Sequence, residues 1–379
     1  MSDPSSRTIL GIAAEFDPFH EGHRYLIEQA AAISPADGVV AVMSGHFVQR
    51  GNPAVFDKWM RAEEAVKGGV DLVLELPFLY ACADAGTFAR GAVSILEGFG
   101  IVDKMVFGSE SGDLEALKAA CTRIDRAEAS DLLKEKLGEG LSYPAARQAA
   151  LEALFPEADQ GIYGEPNNIL ALEYLRALRD RGSFMEPLTV KRSGEGHQAS
   201  ASRIRHRLRQ EEPLRWAARD RRLFDLLRVR ILTQDPAALE AQMGDGEGLS
   251  NRLLKEIRRA ENLTDLIGRL KTKRYTWSGI SRMMMRVLLG LDAGFDEAAA
   301  PYVRPLAFNE RGAALLRQAK KEERITIPVV ESLTRAMQEA PDLSATLLAE
   351  IRAGDVFTLI EGESLYGSCD LVRRARYVR

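Results

Sequence analysis

The stretch TILGIAAEFDPFHEGHRYL, Thr8–Leu26, decides the fold. Thr8–Phe16 is a short apolar run with β-formers and few charges, the composition of a strand buried on both faces. Asp17 and Pro18 then break the run with turn chemistry. After Gly22 the apolar residues Tyr25, Leu26, Ala30 and Ile33 recur with helical spacing. Working outward, VVAVMSG reads as a second strand and FDKWMRAEEAVKGG as a helix with Asp57 as N-cap and paired glycines as its stop. VDLVLELP is a third strand, DAGTFARGAVSILEGFG a helix, and KMVFGSE a fourth strand. Strands alternating with helices at this spacing predict right-handed crossovers and an α/β fold, a doubly wound parallel Rossmann-like sheet.

The later chain reads differently. Residues 113–181 are mostly helical, an insertion that includes LSYPAARQAALEAL, with Ser142 as its cap, and EPNNILALEYLRAL. EPLTVKRS is a late strand and SASRIRHRLRQ the helix after it. From about Asp220 the periodicity stays helical. The expected division is a nucleotide-handling domain over 1–212 and a mainly α-helical, basic domain over 213–379.

Composition bounds the class. The chain has 379 residues, 46% hydrophobic and 28% charged, typical of a globular protein with well-filled cores. Cys82, Cys121 and Cys369 lie far apart without paired spacing, which argues against a disulfide framework and a cysteine-based zinc site. The N-terminal MSDPSSRTIL lacks the apolar run of a signal peptide, and no stretch approaches the roughly 20 apolar residues of a membrane span. A cytoplasmic protein is expected, with no membrane association and no protein partner required. The net charge of −4 is unevenly spread. Glu186–Arg230 holds 12 Lys/Arg against 6 Asp/Glu, and Arg252–Arg286 holds 10 against 3. Two basic blocks in an otherwise acidic chain suit a polyanionic partner, although Arg-rich helices also serve as plain solvated faces.

The turn after the first strand carries the chemistry. The chain has no G-x-G-x-x-G there and no G-x-x-x-x-G-K-[ST], so it is neither an ordinary dinucleotide fold nor a P-loop protein. Ligands of open parallel sheets bind at the carboxyl ends of strands, which is where Pro18-Phe19-His20-Glu21-Gly22-His23 falls. A helix N-terminus there offers free N–H groups and a positive dipole end. Gly22 lets a phosphate approach the backbone, and His20 and His23 can donate to phosphate oxygens. Packing or capping is the plain alternative for both histidines. A zinc site has less support, because neither H-E-x-x-H nor a neighbouring Cys accompanies them. Ser44 in MSGHF lacks the G-x-S-x-G elbow of a hydrolase nucleophile.

His20-Glu21-Gly22-His23 after a first strand resembles the HIGH-type motif of the adenylyltransferase superfamily. The later SASRIR, with Ser200, Ser202, Ile204 and Arg205, resembles its second signature, whose hydroxyls and Arg grip the pyrophosphate end. The segments EFDPFHEGH, AVMSGHFVQRGNPAVFDKW, GVDLVLELP, FARGAVSIL, FGSESGD, LSYPAARQAAL, PNNILALEYL, KTKRYTW and RPLAFNERG extend the likeness over nearly the whole chain, thinning after about Lys321. Together they resemble the bacterial tRNA(Met) cytidine acetate ligase family. That resemblance implies an ATP-dependent ligase forming acetyladenylate from acetate, then acetylating N4 of the wobble cytidine of elongator tRNA(Met).

Residue by residue, the resemblance implies an ATP site of Ala13, Ala14, Glu15, Phe16, Asp17, Pro18, Phe19, His20, Glu21, Gly22, His23, Arg24, Tyr25 and Leu26. Gly108, Asn167, Arg192, Ser200, Ser202 and Arg205 join it. His20, His23 and Arg192 are the expected catalytic groups, with no resident metal beyond a Mg²⁺ accompanying ATP. The common family form has Asn at positions 17 and 21, so Asp17 adds a negative charge near the phosphates. The loop after the second strand supplies His46, Gln49, Arg50 and Lys58 as candidates for acetate or RNA. For tRNA, KTKRYTWSGISRMMMR interleaves Lys271, Lys273, Arg274, Arg282 and Arg286 with Tyr275 and Trp277, a mixture suited to phosphate contact and base stacking. The alternatives are a small-molecule adenylyltransferase and a non-catalytic nucleotide- and RNA-binding protein.

Overall fold

The computed structural model describes residues 7–192, 201–244, 248–294, 301–365 and 367–379. Among the described residues nine strands form: β1 (Ile9–Ala14), β2 (Gly38–Ser44), β3 (Phe47–Val48), β4 (Asn52–Pro53), β5 (Leu72–Leu76), β6 (Lys104–Ser109), β7 (Glu186–Lys191), β8 (Pro305–Phe308) and β9 (Arg376–Tyr377). Seven of them make one sheet in the order β7-β6-β1-β2-β5-β8-β9. The first five of that order pair in parallel. β1 alternates between two buried faces. Leu10 and Ile12 pack with Ile27 and Ala30 of the helix Glu21–Ile33, while Ile9 joins Phe88 and Leu96 of the helix Ala85–Phe99 on the other side. After β5 the chain crosses to the far side of β1, so the order reverses between β1 and β6. A crevice opens at the carboxyl ends of those two strands, the usual ligand position in such sheets.

Local chemistry sets the helix ends. Asp57 caps Lys58–Lys67 by accepting from the Met60 N–H at 2.8 Å, whereas Ser142 takes the cap position of Tyr143–Leu154 without a side-chain hydrogen bond. Ala85–Phe99 stops at Gly100, whose φ of +80° favours glycine, and a Cβ there would lie 2.0 Å from the Arg324 carbonyl oxygen. Gly100→Ala is expected to lower stability by about 1–3 kcal/mol, read from the urea midpoint.

Helices between Pro213 and Leu289 bury Leu227, Leu239, Leu253, Leu266, Ile280 and Met284 in one cluster that also takes in Phe47, Phe78 and Leu79 from the α/β part. The helical region is thus seated on the loops that follow β2 and β5. The chain after 212 is mainly helical, as expected, apart from two short strands. β8 pairs antiparallel with β5 and β9 parallel with β8, so the late chain returns to complete the sheet edge.

Candidate active site

The crevice begins with the first helix. His20 is its N-cap, and its Nδ1 accepts the Gly22 N–H at 3.0 Å. His23 Nδ1 accepts the His20 N–H at 3.2 Å, closing a reciprocal capping box. An imidazole that accepts at Nδ1 in its neutral form carries its proton on Nε2. Both rings are therefore held as Nε2–H donors by the backbone itself. They stack at 3.8 Å between centroids, and His23 also meets Phe16 edge-on at 4.9 Å. Burial drives the His23 pKa well below the usual histidine value, helped by His20 and Arg192, so this ring stays neutral. Gly22 makes the arrangement fit: a Cβ there would lie 2.8 Å from the His20 ring.

A cavity of about 890 Å³ extends from this cap, a volume suited to a nucleotide-sized ligand. Its lining includes Ala13, Ala14, Glu15, Phe16, Asp17, His20, Gly22, His23, Tyr25 and Leu26 of the first segment. Pro18, Phe19, Glu21 and Arg24 stand outside the lining; Phe19 packs over Gly68, and Arg24 pairs with Glu21 at 3.7 Å on the surface. Gly108, Asn167, Arg192, Ser202 and Arg205 line the other walls. The space beside Gly108 is open enough that a Cβ would meet protein only at ordinary contact distance, 3.5 Å from Arg192 Cγ. Asn167 lies at the start of the helix Pro166–Asp180, and its amide donates to Glu110 Oε1 at 2.6 Å. Glu110, which sequence reasoning missed, also takes the Asn168 N–H at 2.8 Å and so fixes that helix start. Phe88, Phe107, Leu170 and Tyr174 supply an apolar wall, also unforeseen. Its alternating strand and helix positions look like any core in the sequence.

Asp17 lines the crevice, but its carboxylate is engaged by protein. Its Oδ1 accepts the Val55 N–H at 2.6 Å, and Oδ2 lies 3.6 Å from Arg205 Nη1, which also donates to the Asp17 carbonyl. The added negative charge is thus partly neutralised in place. Arg205 Nη2 donates in turn to Ser202 Oγ at 3.2 Å, joining the second motif to the first turn. Ser200 lies outside the described residues.

The loop after β2 divides. Gln49 and Arg50 line the crevice, and the Gln49 N–H donates to Glu15 Oε1 at 2.7 Å. His46 and Lys58, expected to share this crevice, are buried elsewhere. Lys58 is fully enclosed and donates to Glu75 and Asp370, with Glu350 Oε2 at 3.7 Å. Arg304 bridges Glu75 at 2.9 Å and Asp370 at 2.7 Å, and Tyr302 donates to Glu75 at 2.9 Å. Burial, with Glu75 nearby, pushes the Glu350 carboxyl up to about 8. Lys58 and Arg304 thus face Glu75, Asp370 and a third carboxyl, Glu350, whose neutral form burial favours. His46 Nε2 sits 3.7 Å from Asp370 Oδ2 and 4.0 Å from Cys369 Sγ, and burial lowers its pKa to about 4.

The basic candidates surround the helix Trp277–Leu289. Lys271, Lys273 and Arg274 are exposed before it, and Trp277 is 43% exposed. Tyr275 instead packs partly against the helical core. Arg282 is half-buried and donates to the Gln49 carbonyl at 3.3 Å, while Ser281 holds the Gly51 carbonyl at 2.8 Å. This helix thus clamps the crevice loop from behind.

The family described as HIGH Nucleotidyl Transferase matches residues 7–368. The tRNA(Met) cytidine acetate ligase of Caldanaerobacter subterraneus subsp. tengcongensis is 36% identical over 382 residues, covering 92% of this chain and 94% of that protein. The one from Bacillus subtilis is 34% identical, covering 96% and 94%. The crystal structure of Thermotoga maritima TmcAL bound with alpha-thio ATP superposes with a TM-score of 0.87 at 30% identity, covering 98% of this chain and all of that one.

Proposed function

The chain belongs to the tRNA(Met) cytidine acetate ligases of the HIGH nucleotidyl transferase family, and on that premise we propose how its crevice works. It is an ATP-dependent ligase that modifies tRNA(Met). The observation that carries the mechanism is that His20 and His23, both in the lining of a nucleotide-sized cavity, accept backbone N–H groups at Nδ1, which leaves each Nε2 as the donor. An acetate oxygen attacks the α-phosphorus of ATP, and pyrophosphate leaves. His20, His23 and Arg192 stabilise the charge that builds on the phosphorus, while Ser202 and Arg205 hold the pyrophosphate end. Acetyladenylate remains in the crevice. The N4 amine of the elongator tRNA wobble cytidine then attacks the acetyl carbonyl and displaces AMP.

Gly108 leaves room for the sugar or base, and Asn167, oriented by Glu110, supplies an amide edge. Among the described residues, the three-membered group of His, Cys, Asp or Glu ligands close enough for a metal is His46, Cys369 and Asp370, which is not in the crevice lining. A Mg²⁺ accompanying ATP would help to neutralise the triphosphate charge in the crevice.

Residues 1–212 hold the chemistry in this reading, and the helical region after 213 presents the RNA surface. The exposed Lys271, Lys273, Arg274 and Trp277 offer phosphate contacts and a stacking face, on the helix that clamps Gln49 and Gly51. No described helix is long and apolar enough to cross a membrane, and a cytoplasmic location fits a tRNA-modifying enzyme.

Incubation with labelled acetate, ATP and total tRNA tests the whole reading, with acetylated cytidine as the product. Pyrophosphate release that ignores acetate would point instead to a small-molecule adenylyltransferase. Gly22→Ala pushes on the His20 ring, and a strained rotamer costs about 0.5–1.5 kcal/mol. The ATP KM is therefore expected to rise several-fold, up to roughly tenfold, in steady-state pyrophosphate assays.

A further inference from the structure

We propose that Glu15 is the general base of the transfer half-reaction, taking the proton from the cytidine amine as it attacks the acetyl carbonyl. The proposal rests on the two-step reading above. In that step the N4–carbon bond forms and the carbon–oxygen bond to AMP breaks. The electron pair leaves with the phosphate, and one N–H proton must go to a base. It passes to the Glu15 carboxylate and then to water.

The crevice leaves few groups able to accept it. The His20 and His23 Nδ1 atoms each hold a backbone N–H, and their other nitrogens carry protons. Asp17 is spent on the Val55 N–H and the Arg205 guanidinium. Tyr174 is a phenol whose ionisation burial opposes further, and Arg50, Lys191, Arg192 and Arg205 are cations. Glu15 remains. It closes the carboxyl end of β1 on the crevice wall, with Oε1 oriented by the Gln49 N–H at 2.7 Å. The Gln49 Nε2 is buried without a partner among the described residues, in a side chain of the crevice lining, which leaves it free to donate to a ligand.

The surroundings also tune this carboxyl. Removal from water raises its proton affinity and Asp17 raises it further, while the Gln49 N–H, Arg205 and Arg50 pull the other way. The net rise moves it toward the working pH, where a carboxylate is a more effective base.

Two separate measurements test the idea. Pyrophosphate release with ATP and acetate reports the first step; single-turnover acetylation after tRNA is added to preformed acetyladenylate reports the second. Glu15→Gln is expected to slow transfer roughly 10²–10³-fold, while pyrophosphate release falls by less than about tenfold. The wild-type transfer rate should rise with pH through the Glu15 pKa, and that dependence should vanish in the variant. Transfer within threefold of wild type, equal losses in both steps, or an unchanged pH profile would overturn the assignment. If Glu15→Gln does not fold, Glu15→Asp replaces it: a partial loss confined to transfer supports the base, and a loss shared with pyrophosphate release overturns it. A wild-type enzyme that releases no pyrophosphate with acetate would instead sink the functional reading itself.

Discussion

Replacing His20 by alanine is expected to slow acetate-dependent pyrophosphate release roughly 10²–10³-fold, the usual cost of losing one preorganised donor to developing charge. Two roles meet in this side chain, and they separate experimentally. As N-cap it satisfies the Gly22 N–H, and losing a cap costs about 0.5–2 kcal/mol of stability. As donor it presents an Nε2–H that alanine cannot replace. His20→Asn keeps a strong capping residue but shortens the donor's reach. That variant should melt near wild type while remaining slow. If His20→Asn recovers both stability and rate, or His20→Ala turns over normally, the ring does no more than cap the helix. The neutral state of His23 sharpens the picture, because a neutral ring donates at Nε2 across the ordinary pH range.

Lys58→Met should destabilise the fold by about 3–5 kcal/mol, the cost of leaving buried carboxylates without their cation. Glu75 and Asp370 are both fully enclosed and both accept from Lys58. Burial opposes their ionisation, but Arg304 and Lys58 hold both carboxyls below the usual carboxylate range. Removing one of those cations leaves Arg304 to serve both. Urea denaturation of Lys58→Met, Asp370→Asn and the double variant forms a cycle, in which the double variant should lose clearly less than the sum of the singles. A loss under 1 kcal/mol for Lys58→Met would mean that water or a rearranged Arg304 replaces the ammonium. Pyrophosphate kinetics in the residual folded protein should stay near wild type, since Lys58 does not line the crevice.

The first of these sites was legible in the sequence and the second was not, for a physical reason. Strand, turn, cap and helix in Thr8–Leu26 depend on residues a few positions apart, so local patterning specifies them. The Asp57 cap was legible in the same way. Lys58 and His46 looked like crevice residues because they flank a polar loop at the functional end of a strand. Lys58 pairs with Glu75, Glu350 and Asp370 and His46 with Asp370, mostly far along the chain, and no local pattern announces such pairings. β8 and β9 escaped for a related reason. They have four and two residues, within a region of otherwise helical periodicity, and gain strand geometry only from the edge they join. The Asp17 charge looked like a conflict with phosphate because Arg205, its partner, is 188 positions away.

The joining of Lys58 to Asp370 across 312 positions has a consequence for synthesis on the ribosome. β1, β2, β5, β6 and β7 emerge early, and their local contacts can form as they appear. Lys58 and Glu75 emerge with them, but Arg304 and Asp370 arrive only after the helical region has been made. At elongation rates of about 5–20 residues per second, that interval lasts roughly 15–60 seconds. Throughout it, the nascent sheet carries an incompletely balanced charged pocket and an open edge at β5. The last strands thus act as a latch that covers the β5 edge only late in synthesis.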